Sequence, residues 1–193
     1  MEAKDIVLNA IIKGMNKEND LMDLVNVLKA PGITSHDIVS HLRKFMDLKK
    51  VGHAGTLDPA AAGVLPVALG KATRMLEYMD DVDKSYKVEV TFGLSTDTGD
   101  DTGKIIETME NYIMPTAEKV KEALETFRGE IKQRPPMYSA IRINGEKAYN
   151  LARKNIEVEM PERDVVIHDI KFQEMTQNGF IFEVVCSKGT YIR

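Results

Sequence analysis

One run of the sequence leaves its backbone few choices: Gly52-His53-Ala54-Gly55-Thr56-Leu57-Asp58-Pro59, followed by Ala60-Ala61-Ala62-Gly63-Val64-Leu65-Pro66-Val67. Glycine lets backbone approach a ligand closely, and Pro59 fixes its own φ while steering Asp58 away from helical ψ. The run must therefore be a loop, and the apolar residues that follow can anchor it in a core. It carries one carboxylate, Asp58. An isolated Asp-Pro is ordinarily a cap or a turn. A carboxylate between glycines and a proline, beside an anchoring apolar run, is also how a reactive side chain is held still.

The flanking segments alternate between strand and helix patterns. Residues 1–21 hold Ile6, Val7, Ile11, Ile12 and Met15 in a weak helical period and read as a short amphipathic or frayed extension of unknown role. From Leu21 a strand runs to the breakers Pro31 and Gly32. Thr34 or Ser35 then caps a helix with Ile38, Val39, Leu42, Phe45 and Met46 as its apolar stripe. Val64 to Leu69 reads as a buried strand and Thr73 to Met79 as a short helix. Residues 85–92 alternate, with Tyr86, Val88, Val90 and Phe92 on one face. Asp97 to Gly103 is a polar loop, and Thr116 caps a helix through Phe127 with Val120, Leu124 and Phe127 inward. Two prolines make Gln133 to Ala140 a loop or an edge. Asn144-Gly145 suits a tight hairpin turn before a helix from Tyr149 to Lys154, and residues 164–175 and 180–187 form a hairpin around Asn178-Gly179. These elements predict an α+β or mixed α/β fold on a largely antiparallel central sheet flanked by helices.

At 193 residues and 43% hydrophobic content the chain can bury a real core. The lone Cys186 cannot close an internal disulfide, and no Cys and His spacing matches a zinc site, so a reducing compartment without metal is expected. Neither a signal peptide nor a membrane span fits the N-terminus, and the expected location is the cytoplasm. The net charge of −4 argues weakly against nucleic-acid binding, but it is unevenly spread. Residues 29–74 carry seven Lys/Arg against three Asp, and residues 128–154 seven against two Glu, whereas residues 77–111 carry three Lys against ten acids. Folding that brings the basic segments to one face would give a phosphate-attracting surface; the alternative is that these charges only solvate the surface.

The Gly52–Pro66 run resembles a signature of the TruB family of tRNA pseudouridine synthases, and further blocks extend the likeness. Lys84-Ser85-Tyr86, then Phe92-Gly93 and Thr96-Asp97-Thr98-Gly99-Asp100, is similar to the family's Lys-x-Tyr strand and acidic loop. Gln133, Pro135-Pro136, Tyr138-Ser139-Ala140, Gly145 and Ala148-Tyr149-x-x-Ala152-Arg153 resemble its third block, with Arg142 where lysine is more common. Ser187-Lys188-Gly189-Thr190-Tyr191-Ile192-Arg193 resembles its last catalytic block. Ala30 stands where proline is usual, which touches loop stiffness more than chemistry. The blocks run in the family's order from about Val25 to Arg193. The resemblance implies a domain organisation of an extension over 1–21 and a pseudouridine synthase catalytic domain over 22–193.

It also implies a reaction. Converting uridine to pseudouridine breaks the N1–C1′ bond, turns the uracil and rejoins it through C5, with no cofactor and no net redox change. A carboxylate can attack C1′, remove the C2′ proton or add to C6, and all three routes are open to Asp58. It must be ionised, which a neighbouring guanidinium favours, and Arg193 resembles that partner. The base must be flipped out of the RNA loop, and aromatic rings offset the lost stacking. Tyr86 resembles the family's stacking tyrosine, which can also assist proton removal from C5, and Tyr191 a second pocket tyrosine.

His53 resembles a histidine that fills space in the RNA loop. Lys29 contacts phosphate, buttresses the Asp58 loop or is a solvated surface lysine, and Arg142, Lys147, Arg153 and Lys154 are candidate backbone-phosphate contacts. His36, His41 and His168 are left as structural.

The expected partner is the TΨC arm of tRNA, read as a folded shape by a monomer with no obligatory protein partner and no membrane. Because the family continues beyond the position of Arg193, usually into a small RNA-binding domain, the chain is also expected to be incomplete at its C-terminal side. The competing reading is then an RNA-binding fragment with reduced turnover. A hydrolase using Asp58 as nucleophile lacks the second, motif-placed carboxylate that glycoside hydrolysis normally requires.

Overall fold

In the computed structural model, which describes residues 21–79, 82–139, 141–154, 156 and 158–193, the apolar run after Leu21 forms β1 (Met22–Lys29), and Pro31 and Gly32 follow its end. The chain divides into two units, residues 1–80 and 81–193. The extension read over residues 1–21 lies, but for Leu21, outside the described residues.

The first unit pairs β1 with β3 (Gly63–Gly70) and β3 with β2 (Val51–His53), both antiparallel. Helix α1 (Ser35–Phe45) starts at Thr34, whose side chain accepts from the Asp37 N–H at 3.1 Å while the Thr34 N–H donates to Asp37 Oδ2 at 2.8 Å. This reciprocal cap fixes where the helix begins, worth about 1 kcal/mol. Val39, Leu42 and Met46 then meet Val27, Val51, Leu65, Val67 and Leu69 in a core. Phe45 and Val64, both expected inside, are exposed. Phe45 falls at the margin of the stripe, and Val64 lies on the sheet face opposite Leu65. The helix expected over Thr73–Met79 is a 3-10 helix over Lys71–Tyr78.

The second unit is built on the order β4 (Lys84–Thr91), β11 (Gly179–Cys186), β10 (Arg163–Met175), β7 (Gly129–Gln133), every pair antiparallel. The alternation read in residues 85–92 is met: Tyr86, Val88 and Val90 face the core with Ile167, Ile170, Phe180 and Val184. Helix α2 (Ala117–Glu125), capped by Thr116, adds Val120 and Leu124 to that core. Phe127, expected inward, lies past the helix end and is exposed.

The described residues of this unit also form two short hairpins. Strands β5 (Leu94–Thr96) and β6 (Ile105–Thr108) carry the acidic loop between them. Strands β8 (Arg142–Ile143) and β9 (Glu146–Lys147) are joined by Asn144 at φ 50° and Gly145 at φ 86°, the positive pair a tight hairpin turn requires, and lead into helix α3 (Ala148–Arg153). The β10–β11 reversal differs from expectation. The Thr176 N–H donates to the Gly179 carbonyl at 2.9 Å, so the chain turns at Gln177 and Asn178. Gly179 instead lies in β11, where a Cβ would come within 1.7 Å of the Val90 carbonyl oxygen. The fold class is α+β, as expected, and among the described residues the antiparallel strands are shared between two sheets and two hairpins.

Candidate active site

Register delivers Lys29, the last residue of β1, opposite Gly63, where the Asp58 loop re-enters the sheet. Lys29 is fully buried. Its ammonium donates to the carbonyls of Ala30 at 3.0 Å, Ile33 at 2.8 Å and Pro59 at 3.2 Å. The three N–H groups thus tie the end of β1, the turn before α1 and the residue after Asp58 into one knot. Of the three readings open for Lys29, this geometry is that of a buttress and not of a phosphate contact or a solvated surface lysine. Burial lowers its pKa below the ordinary lysine value, and the Asp58 charge acts in the opposite sense.

On the other side of Asp58, buried Ser35 clamps Leu57. Its hydroxyl accepts from the Leu57 N–H at 3.0 Å and donates to the Leu57 carbonyl at 3.2 Å. The Gly32 N–H adds a bond to the Pro59 carbonyl at 2.8 Å, and the Asp58 carbonyl accepts from the Ala61 N–H at 3.1 Å. Asp58 itself is half-buried. His53, at the end of β2, turns its Nδ1 to the Gly55 carbonyl within the same loop.

In the second unit the segment after β11 is stitched down residue by residue. Ser187 pairs with Val166 through its N–H and its Oγ, at 2.8 and 2.9 Å. Thr190 Oγ1 donates to the Ser187 carbonyl at 2.9 Å. The Gln133 amide brackets Tyr191, donating to its carbonyl and accepting from its N–H, each at 2.8 Å. Arg193 is thereby delivered to the acidic loop, where Nη1 meets Asp100 Oδ2 at 3.0 Å and Nη2 donates to the Tyr138 carbonyl. Only 13% of the Arg193 side chain and 14% of the Asp100 side chain are exposed, so solvent screens this pair little.

Asp100 is prepared for that role. Burial alone raises its pKa, but hydrogen bonds from Thr102 and Thr98 and the Arg193 guanidinium outweigh burial and hold it below the usual carboxylate range. Tyr86 sits half-buried on the core face of β4 opposite Val184, and Tyr191 packs against the small cluster of Ile141, Ala148 and Met160. The sequence assigns no role to Asp100 and Gln133, and to Ser35 none at the site. Asp100 and Gln133 stood inside the quoted blocks, and Ser35 was visible only as a second candidate cap.

The residues 43–192 match the model of the TruB family pseudouridylate synthase N-terminal domain. The chain belongs to the TruB family. Its relatives include the tRNA pseudouridine synthase B of Alkaliphilus oremlandii (strain OhILAs), 49% identical over 170 residues, covering 88% of this chain and 56% of that protein. The tRNA pseudouridine synthase B of Caldanaerobacter subterraneus subsp. tengcongensis is 49% identical over 171 residues, 88% of this chain and 60% of that protein.

The chain thus spans somewhat over half the length of these curated relatives. Among solved structures it resembles a chain of a Cbf5-Nop10-Gar1 complex, with a TM-score of 0.63 and 32% identity, covering 88% of this chain and 41% of that one. It also resembles a chain of an H/ACA RNP bound to a substrate RNA containing 2′-deoxyuridine, with a TM-score of 0.58 and 29% identity, over 88% of this chain and 39% of that one. The TruB-family match includes His53, Asp58, Tyr86 and Tyr191, and Arg193 follows it directly.

Proposed function

We propose that the chain is the catalytic part of a tRNA pseudouridine synthase that isomerises the uridine of the TΨC loop. It acts in the cytoplasm, without a cofactor, as a monomer with no obligatory protein partner. The observation that carries this reading is the knot beneath Asp58. The one carboxylate of the Gly52–Pro66 run sits on a loop pinned on both sides by buried side chains, Ser35 at Leu57 and Lys29 at Pro59. A loop with only a turn-forming Asp has no need of a buried ammonium, which costs free energy to desolvate unless it is bonded.

The chemistry follows from the residue types. Asp58, ionised, attacks C1′, removes the C2′ proton or adds to C6. The N1–C1′ bond breaks, the uracil turns, the C5–C1′ bond forms, C5 loses its proton and N1 gains one. Arg193 orients the carboxylate, itself braced by Asp100 and the Tyr138 carbonyl. Tyr86 stacks on the flipped uracil and assists removal of the C5 proton, Tyr191 lines the pocket, and His53 fills the space the base vacates.

The test is release of tritium from tRNA labelled with [5-³H]uridine, since forming the C5–C1′ bond expels that hydrogen. The parent chain is expected to release tritium and Asp58→Asn to release none while binding tRNA as tightly. Binding without release by the parent supports an RNA-binding fragment instead, and release by Asp58→Asn equal to the parent's overturns the assignment of Asp58.

A further inference from the structure

One stretch of chain grips the segment from Tyr191 to Arg193 twice. At its start the Gln133 side chain donates to the Tyr191 carbonyl and accepts from the Tyr191 N–H, each at 2.8 Å. Near its end the Tyr138 carbonyl accepts from Arg193 Nη2. Between the grips, the side chains of Met137 and Tyr191 pack on the same cluster of Ile141, Ala148 and Met160. The gripping stretch is itself fixed. Gln133 ends β7 in register with Arg163 of β10, and the carbonyl of Ser139, next after Tyr138, accepts from the Tyr149 N–H at 3.1 Å. Buried Pro135 and half-buried Pro136 hold φ at about −65° between these anchors.

An amide that meets both the N–H and the carbonyl of one residue fixes that residue as a hydrogen-bonded neighbour in an antiparallel ladder does. We propose that residues 133–138 form a stiff, two-point template that sets the Arg193 guanidinium, with Gln133 as a positioning residue for the reaction. Gln133 acts through the backbone of Tyr191, two residues before Arg193, whereas Tyr138 acts on the guanidinium directly. A shift of the Tyr191 backbone is carried to the stem of the Arg193 side chain. The amide bracket therefore decides whether Nη1 and Nη2 reach Asp100 and the Tyr138 carbonyl together. The placement of Arg193 stands on these contacts alone, and its effect on turnover rests on the function proposed above.

The test pairs tritium release with an NMR titration of the Asp100 carboxyl, both on the full chain. Gln133→Met fills the same space and removes both bonds to Tyr191. Gln133→Asn keeps the amide but draws it back by one methylene. In each, kcat is expected to fall about 10- to 30-fold with KM unchanged. Burial pushes the Asp100 carboxyl up, while bonds from Thr102, Thr98 and Arg193 pull it below its ordinary range. With Arg193 loosened one of those bonds weakens, and Asp100 is expected to titrate at higher pH in both variants than in the parent. A merely structural Gln133 would lower the melting temperature and leave kcat and the Asp100 titration, read below melting, as in the parent.

Melting curves check that each variant folds, and the smaller Gln133→Asn carries the test should Gln133→Met fail to. An Asp100 titration that does not move overturns the template. A raised titration with kcat unchanged in an active parent overturns the role of Gln133 in the reaction. A raised titration in a chain whose parent releases no tritium keeps the template and overturns the synthase reading.

Discussion

Around Asp58 the anchors act on the main chain: Ser35 grips both polar groups of Leu57 and Lys29 grips the carbonyl of Pro59. Around Arg193 they act on the main chain too, through Ser187 and Gln133, and then on the guanidinium itself, through Asp100 and the Tyr138 carbonyl. The difference fits the two tasks proposed for Asp58 and Arg193. A nucleophile or base has to react, so its loop is what needs fixing, and neutral carbonyls around a buried ammonium do this without a second carboxylate to compete with Asp58. A group that orients another does not react, and a mostly buried ion pair can hold it throughout. Lys29 further brings a positive charge beneath the loop, and its attraction to the Asp58 carboxylate acts on both partners.

The largest effect is expected on the Asp58 side. Lys29→Met leaves the buried stem filled but strands the carbonyls of Ala30 and Ile33, while the Pro59 carbonyl keeps the Gly32 N–H. Two acceptors without partners cost about 3 kcal/mol, a fall of about 6–12 °C in melting temperature. Turnover should collapse below that temperature as well. A variant that melts with the parent would show that the ammonium does not hold the loop.

On the Arg193 side Asp100→Asn keeps the shape and removes the charge. Hydrogen bonds to charged groups are worth about 1.5–3 kcal/mol, so turnover should drop by about 10- to 100-fold with tRNA affinity unchanged. Stability carries a matching signature in pH. The carboxylate is held below its usual 3.8 in the folded protein. Its contribution is therefore complete above that value and is lost as pH falls through the depressed one. The gap in melting temperature between parent and Asp100→Asn should be constant through neutral pH and close only in strong acid. A gap that closes above pH 5 would mean that Asp100 is not depressed and that Arg193 is held by other means.

What the sequence revealed and what it hid divide along the range of the interaction. The strand before Pro31, the Thr34 cap, the alternation from Ser85 to Phe92 and the Asn144-Gly145 turn depend on neighbours within a few residues, and each formed. Lys29 could not be resolved between surface and interior, because one of its acceptors is Pro59, 30 residues on. Asp100 had no assigned role because its partner lies 93 positions away. Asn178-Gly179 misled for a related reason: the glycine there answers to the backbone of β4 at Val90 and not to the turn. Phe45 and Phe127 have helical spacing but sit at or past helix ends, where the stripe no longer meets the sheet.

The smallest effect sharpens the contrast furthest. Ser35→Ala deprives the Leu57 N–H of its acceptor and the Leu57 carbonyl of a donor at a buried site. The expected cost is about 1–2 kcal/mol, a fall of about 2–8 °C in melting temperature, with turnover lowered less than in Lys29→Met. Because Ser35 and Lys29 flank one carboxylate on one loop, their losses should not add. Once Lys29→Met has left Pro59 held by the Gly32 N–H alone, the Ser35 clamp at Leu57 holds a loop that is already loosened at its other end. The double variant should then fall short of the summed single losses by about 0.5–3 kcal/mol. Asp100→Asn combined with Ser35→Ala serves as the reference for two anchors that act on different segments, and its losses in stability should add. If the Ser35 and Lys29 losses also add, the loop is two independent tethers, and the account of Asp58 as held by a single knot fails.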